Sequence, residues 1–575
     1  MGESRLHPAQ SKRDRLLCLL ILVPALLFIV FLTIFPVQNN DVWWQISAGR
    51  EMIRSGSFLG KDVFSCTIYG EPWVNKYAAF EIPAWFAFSL AGGSGLIAFR
   101  AVLILLSIVL IIPPFFLFIK NRESVTGAVL ASLTAVMTAF LMTSRMYIRP
   151  ELFSLVFFSL FIFLWERKRN RKADLIFISI LAVLQAVWTN MHSAYILGLL
   201  ISGAYIVERF ICRKGKIWKE FLILPLLAVS TFLNPYGWNM LFQIMEVTKS
   251  GSFHYVVLVE WLSPFDPRYP DALRWFIAGA VILTIAGFAL NRKEIRISHV
   301  LLFLFFTIFV FKSRRHEGFF ALVFGICNLW NYSFILSGIT QKIGDNEQKI
   351  STAAAFSTVF VFLVLNYLVI NGFLFSALGV NRPFGFGVQN SRYPVDCADF
   401  MQKQNIKGNL FNDYDSGGYL IWRLTPKVRP CIDGRAEPFP EDLVMEHWNI
   451  INGEKTPDEF LERYDITLAL VEFDDVHLLE YFGENKEWVP CNVGFRACLF
   501  LKKTERNKSL IEQYGIKGKA KKIILPNMQD LARKYPYADL NKLIRRRQFM
   551  LRRLNLLDMS SSGNNTSNIF MQNEG

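Results

Sequence analysis

The sequence predicts a polytopic α-helical membrane protein with a small C-terminal α/β domain, and three observations predict it. Hydrophobic residues make up 53% of the 575, 53 of them Phe, and mean hydropathy is +0.31, far more apolar than a soluble chain of this size. Apolar runs then follow one another from residue 16 to residue 376. Beyond residue 382 the pattern changes to short β-prone runs alternating with helical stretches.

The elements follow in order. Residues 1–15 form a basic amino terminus, and the run Leu16–Phe35 lies behind Lys12, Arg13 and Arg15. Its length fits a retained first span better than a cleaved signal segment, which sets the amino end in the cytoplasm. A first outer loop, residues 36–94, opens the transmembrane region 16–378. In it Asn39, Asn40 and Asp41 are capping residues, and apolar positions recur at Val42, Ile46, Gly49 and Ile53 until Gly56 stops the helix. Trp43, Trp44, Trp73 and Trp85 are side chains that favour the headgroup level, so the loop is expected to lie along the membrane surface. Further apolar runs at about 95–119, 124–142, 151–165, 173–189, 193–210, 219–234, 273–290, 298–312, 317–337 and 352–376 bring the expectation to about 11 transmembrane helices.

Tyr77–Ala91 is apolar but short, carries Glu81 and is interrupted by Pro83. If it lies flat, as a second juxtamembrane helix, the amino terminus and alternate loops hold 21 Lys and Arg against 11 in the opposite loops. If it spans, that ratio inverts against the positive-inside rule. The flat arrangement sets Asp41, Glu81, Arg145, Arg149, Glu151, Asn190, His192, Asn234, Glu260, Arg314, Arg315 and His316 at the outer face.

The domain 382–503 contains strand-like runs at Asn409–Phe411, Arg429–Ile432, Thr467–Val471 and Ala497–Leu501, and helical ones at Pro394–Gln404, Glu441–Asn449 and Pro457–Arg463. An odd number of spans sets it outside, where Cys397, Cys431, Cys491 and Cys498 can form one or two disulfides. DYDSGGY at Asp413–Tyr419 reads as an acid-rich turn with too few ligands for a calcium loop. The tail 504–575 is basic: 16 basic against 5 acidic residues lie between Lys502 and Asp558. Such a tail suits an anionic lipid surface or is simply a solvated arm, and its Ser/Asn-rich end is expected to be disordered.

An outer-face carboxylate with basic residues arriving from other loops suits a substrate with a lipid tail, a phosphate and a group to be moved. A polyprenyl-phosphate sugar has all three. One carboxylate, for which Asp41 is a candidate, can take the acceptor's proton while guanidinium or imidazolium groups stabilise the departing phosphate. Arg314, Arg315 and His316 in KSRRHEGFF are the foremost phosphate candidates, joined by His192, Asn190 and Arg149, with Glu260 or Glu81 as a second acid. Each also has a bland reading: Asp41 as a helix cap, the Arg pair as a headgroup contact, His192 as a helix-end residue, Glu260 as a plain loop acid. No Gly-rich nucleotide loop or HExxH motif occurs, so neither a soluble nucleotide-sugar donor nor a zinc protease is supported.

The phrases DVWWQISAGREMIRSGSF, EPWVNKYAAFEIPAWF, WTNMHSAYILGL, LNPYG, EWLSPF, RHEGFFAL, DYDSGGYLIWR and CIDGR, in this order, resemble the GT-C superfamily of polytopic glycosyltransferases. That superfamily includes protein O-mannosyltransferases and lipid A aminoarabinose transferases, and the chain looks most like a bacterial branch of it. The resemblance implies a catalytic Asp in the first outer loop, here Asp41, flat juxtamembrane helices, and a polyprenyl-phosphate-linked sugar donor. The acceptor is then a cell-envelope glycan, lipid or protein, with membrane lipids as surroundings and no nucleic acid. The expected location is the cytoplasmic membrane, with the site and C-terminal domain extracytoplasmic. No cofactor is called for: many relatives have a second acid directly beside that Asp, whereas here the neighbours are Asn40 and Val42, which speaks against a divalent metal. Two rivals stand beside transfer. A lipid-linked glycan transporter would carry charged or broken helices at the membrane midplane, and a non-catalytic scaffold would bind glycolipid through its outer domain.

Overall fold

The computed structural model describes residues 8–111, 125–168, 173–212, 218–240, 242, 261–267, 272–343, 346–380, 382–435, 438–516 and 528–554. The chain divides into two compact units. One comprises residues 1–37 and 76–387, the other residues 38–75 and 388–575.

The first unit is helical. Among the described residues six helices are long and apolar enough to cross a membrane: Lys12–Thr33, Ala78–Val109, Ser193–Cys212, Leu273–Leu290, Arg314–Thr340 and Glu347–Ile370. Shorter apolar helices, among them Val125–Leu141, Leu175–Thr189 and Ile297–Lys312, lie at further predicted runs. The chain therefore reads as a multi-pass membrane protein. The helix Glu317–Ile343 runs through the middle, packed on Val125–Leu141, Leu273–Leu290 and Ile297–Lys312. Phe158, Phe161, Trp165, Phe306 and Phe320 are buried between the helices, while Leu16, Leu19, Val23, Phe356, Phe360 and Leu363 are exposed, an apolar exterior suited to hydrocarbon. The segment predicted at Tyr77–Ala91 is helical from Ala78. It is set apart from the span that follows by a break at Ala91 and Gly92, where Gly92 takes a left-handed φ of 56° that glycine tolerates.

The second unit joins the first outer loop to the C-terminal domain, so residues 38–75 group with 388–575 and not with the transmembrane region. Its five-stranded sheet has the order β2-β1-β3-β5-β4, with β1 (Gly408–Phe411), β2 (Val428–Pro430), β3 (Ile466–Glu472), β4 (Trp488–Val493) and β5 (Ala497–Lys502). β1 runs parallel to β2 and β3, and β5 antiparallel to β3 and β4. β3 is buried along its whole length, as a central strand covered on both faces must be. β4 escaped prediction because Pro490 interrupts the run; as an edge strand it tolerates the missing donor. The predicted turn at DYDSGGY is instead the start of a helix, Tyr414–Leu424, capped by the Asp413 carboxylate accepting from the Ser416 N–H. All eight cysteines are free thiols, so Cys397, Cys431, Cys491 and Cys498, all buried, are unpaired and the expected disulfides are not formed. Part of the basic tail is folded: Leu531 and Tyr535 pack with Phe495, and Lys534 bridges Asp396 and Asp399. The Ser/Asn-rich end lies outside the described residues.

Candidate active site

In the second unit the helix Asp41–Ser55 ends where predicted, at Gly56 with φ 69°. The expectation that its tryptophans lie at headgroup level is corrected. Trp43 is fully buried in an aromatic box, stacked on Trp422 at 4.4 Å and edge-on to Tyr393 and Tyr419. Trp44 and Trp73 are buried too, 6.3 Å apart. Period and composition cannot distinguish a helix half-sunk in lipid from one sunk in protein. Val42 to Gly49 are buried without a break, and the expected apolar position Ile53 is instead exposed.

Asp41 itself is not the cap. The N-cap is Asn40, whose side chain makes no capping bond but hydrogen-bonds Asp415, and Asp41 stands in the first turn, half-exposed, where the helix dipole favours negative charge. Two glycine segments of the C-terminal domain approach it. A Cβ on Gly418 would lie 3.0 Å from the Asn40 carbonyl oxygen, and one on Gly434 would lie 2.8 Å from Asp41 Oδ1. Beside Gly434 sits a buried charge network. Arg435 reaches Asp62 Oδ2 through Nη1 at 2.6 Å, while its Nε and Nη2 donate to the two oxygens of Asp433 at 2.8 and 2.7 Å. All three side chains have no exposed surface. Burial is the main force raising the Asp62 carboxyl above its ordinary value, opposed by Arg435.

In the first unit several predicted residues converge. Arg145, on the 3-10 turn Thr143–Arg145, forms a buried pair with Glu151, which opens the helix Glu151–Arg167. Ser144 donates to Glu317, and Arg314 lies 3.5 Å from the same carboxylate. His192 is fixed by a relay: Trp188 Nε1 donates to Ser154 Oγ at 2.8 Å, and Ser154 Oγ sits 2.9 Å from His192 Nδ1. The Ala194 N–H also donates to Nδ1, at 3.4 Å, which makes Nδ1 an acceptor, so Ser154 donates to it and the imidazole proton lies on Nε2. Burial first, then the Arg315 charge, hold His192 at about 3, so it is neutral and Nε2–H is a donor.

The predicted phosphate group separates on inspection. Arg314 is paired with Glu317, His316 packs against Phe309 at 5.1 Å, and Arg315 lies 4.8 Å over Trp261 with no ion pair among the described residues. Asn190 is committed to structure, its amide donating to the Ala186 and Leu233 carbonyls. Arg149 is half-buried in the turn before Glu151, and Glu81 is fully buried in the first turn of its helix. Glu260 lies outside the described residues. Ser154 and Trp188 went unnoticed in the sequence because an inward Ser and Trp on apolar helices look like ordinary packing. Among the described residues no three His, Cys, Asp or Glu side chains gather as a metal ligand set.

No protein-family profile matches the chain, and no curated protein does. Solved structures do. The archaeal oligosaccharyltransferase AglB from Archaeoglobus fulgidus, in complex with an inhibitory peptide and a dolichol-phosphate, aligns at TM-score 0.56 and 9% identity over 80% of this chain and 70% of that one. ArnT from Cupriavidus metallidurans in the apo state aligns at TM-score 0.50 and 13% identity, over 86% of this chain and 98% of that one. The chain shares the fold of these two proteins. An apo form of the A. fulgidus oligosaccharyltransferase agrees, at TM-score 0.52 and 11% identity over 82% and 71% of the two chains. At such identities the likeness is one of architecture, and the chemistry must be argued from the residues.

Proposed function

We propose that this protein is a membrane glycosyltransferase that moves a sugar from a polyprenyl-phosphate-linked donor to an acceptor glycan, lipid or protein at the outer face of the cytoplasmic membrane. Asp41 takes the acceptor's proton as the new glycosidic bond forms, and the sugar leaves the phosphate of its carrier. Arg315, which makes no ion pair among the described residues, and the Nε2–H of His192 hold that phosphate. The observation that carries the reading is the placement of Asp41: a half-exposed carboxylate opening an otherwise buried helix, with the capping position taken by Asn40. The GT-C fold supports it, since two of the solved neighbours are an oligosaccharyltransferase and ArnT.

The test complements cells lacking the gene with wild type or Asp41→Asn at matched expression, and follows surface glycans and the pool of polyprenyl-phosphate sugars. The expected result is an unmodified glycan and accumulated lipid donor with Asp41→Asn. Full restoration by that variant would remove Asp41 from the chemistry and favour the glycolipid-binding scaffold or transporter.

A further inference from the structure

We propose that the turn Cys431–Arg435 of the C-terminal domain is a positioning element for the Asp41 carboxylate, with Gly434 setting where the carboxylate lies and Arg435 locking the turn to the first outer loop. The inference rests on the reading of Asp41 as the base.

Three observations within the second unit carry it. The first is contact: a Cβ at Gly434 would meet Asp41 Oδ1 at 2.8 Å and come 3.7 Å from Trp44 Nε1, so the backbone of this turn forms one wall of the carboxylate's seat. The second is anchorage from both chain segments. Arg435 grips Asp62 of the loop and Asp433 of its own turn, and the Ser65 hydroxyl closes the ring by accepting from Arg435 Nη2 at 2.7 Å and lying 3.2 Å from Asp433 Oδ2. The loop is also bound by its backbone and a hydroxyl, Cys66 N–H donating to the Pro430 carbonyl at 3.0 Å and Thr67 Oγ1 to the Cys431 carbonyl at 2.6 Å. The third is close packing that only glycine permits. A Cβ on Gly417 would fall 2.1 Å from the Ile432 carbonyl oxygen, so DYDSGGY lies directly against the turn. DYDSGGY and CIDGR thus become parts of one device. It holds a short carboxylate side chain to a fixed place, which proton abstraction requires.

Gly434 offers a clean probe. Its φ is not left-handed, so alanine is tolerated by the backbone, and the nearest atom a methyl meets is the tip of the Asp41 side chain. The perturbation therefore falls on the carboxylate and spares the fold. The experiment measures consumption of polyprenyl-phosphate sugars, extracted from cells lacking the gene, by the purified full chain as wild type, Gly434→Ala, Asp41→Asn and the double variant. Gly434→Ala should lower kcat by about 10- to 100-fold with KM little changed, since displacements near 1 Å cost that much. Its unfolding temperature should match wild type. Added to Asp41→Asn, it should cost nothing further, because the group it displaces is already disabled. A wild-type rate for Gly434→Ala, or an equal loss on both backgrounds, overturns the positioning role while leaving Asp41 as the base. A wild-type rate for Asp41→Asn overturns both. Should Gly434→Ala fail to fold, Arg435→Lys takes its place in the same cycle, keeping the charge and losing the fork that grips two carboxylates.

Discussion

Replacing Arg435 by Gln removes one positive charge from a site where Asp62 and Asp433 have no exposed surface. The guanidinium makes charge-assisted contacts at 2.6, 2.7 and 2.8 Å to these two carboxylates, and its ring contacts to Trp73 and Phe64 are lost with it. Removing one partner of a buried ion pair costs about 3–5 kcal/mol, because the remaining charge is left uncompensated. Here two like charges remain, so the upper part of that range is expected. The loss should depend on pH. The Asp62 carboxyl is already raised above its ordinary value by burial, and without Arg435 it rises further. A carboxyl whose folded value lies above its unfolded one favours folding while protonated and loses that contribution as pH climbs through the folded value. Arg435→Gln should accordingly be closer to wild type at pH 5 than at pH 8. The assay is thermal unfolding of the detergent-solubilised chain at both pH values, with limited proteolysis between residues 38 and 75 reporting release of the loop. Adding Asp62→Asn should recover part of the loss. A cost below about 1 kcal/mol at pH 8, as for an exposed pair, would refute the reasoning.

Two further outcomes follow from single sites. Arg315→Gln should raise KM for the lipid-linked donor about 10-fold or more, as expected for a lost charge-assisted phosphate contact, whereas Arg314→Gln should act mainly on stability through Glu317; donor titrations with thermal unfolding check both. Asp475, raised to about 7 by burial and by Asp413 and Asp474, opposes folding once ionised. Asp475→Asn should therefore stabilise the chain at pH 8 by on the order of 1 kcal/mol or more and by less at pH 5, read from unfolding temperatures at the two values.

The sequence carried the helices of the first unit plainly, since long apolar runs leave few alternatives, and it carried four of the five strands. β4 was masked by Pro490, and DYDSGGY was misread because two adjacent glycines look like a turn when they in fact permit close contact with Ile432 and Asn40. Of the residues proposed to act, Asp41, His192 and Arg315 were legible as polar residues between or beside apolar runs. The differences among Arg314, Arg315 and His316 were not, because they depend on Glu317, Trp261 and Phe309 in three dimensions. Nor was the partnership of Asp62 with Arg435, separated by hundreds of residues and written as two unremarkable charged positions.

That partnership constrains the topology. Residues 38–75 and 388–554 share a buried ion network, an aromatic box and backbone hydrogen bonds, so they form one body that no bilayer can pass through. Both chain segments must then lie on the same side of the membrane, and the intervening residues 76–387 must cross it an even number of times. The expectation from apolar runs sets ten crossings there, an even number reached without any knowledge of the partnership. Had Tyr77–Ala91 crossed as well, the count would be odd and the loop and C-terminal domain would be parted. The test places single cysteines at the exposed positions Lys61 and Lys486 in a background with the native cysteines replaced, and labels intact cells with a membrane-impermeant maleimide. Both should label from the outside, and both should be shielded from a cytoplasmic probe. Labelling of the two from opposite faces would break the second unit apart, and with it the seat proposed for Asp41.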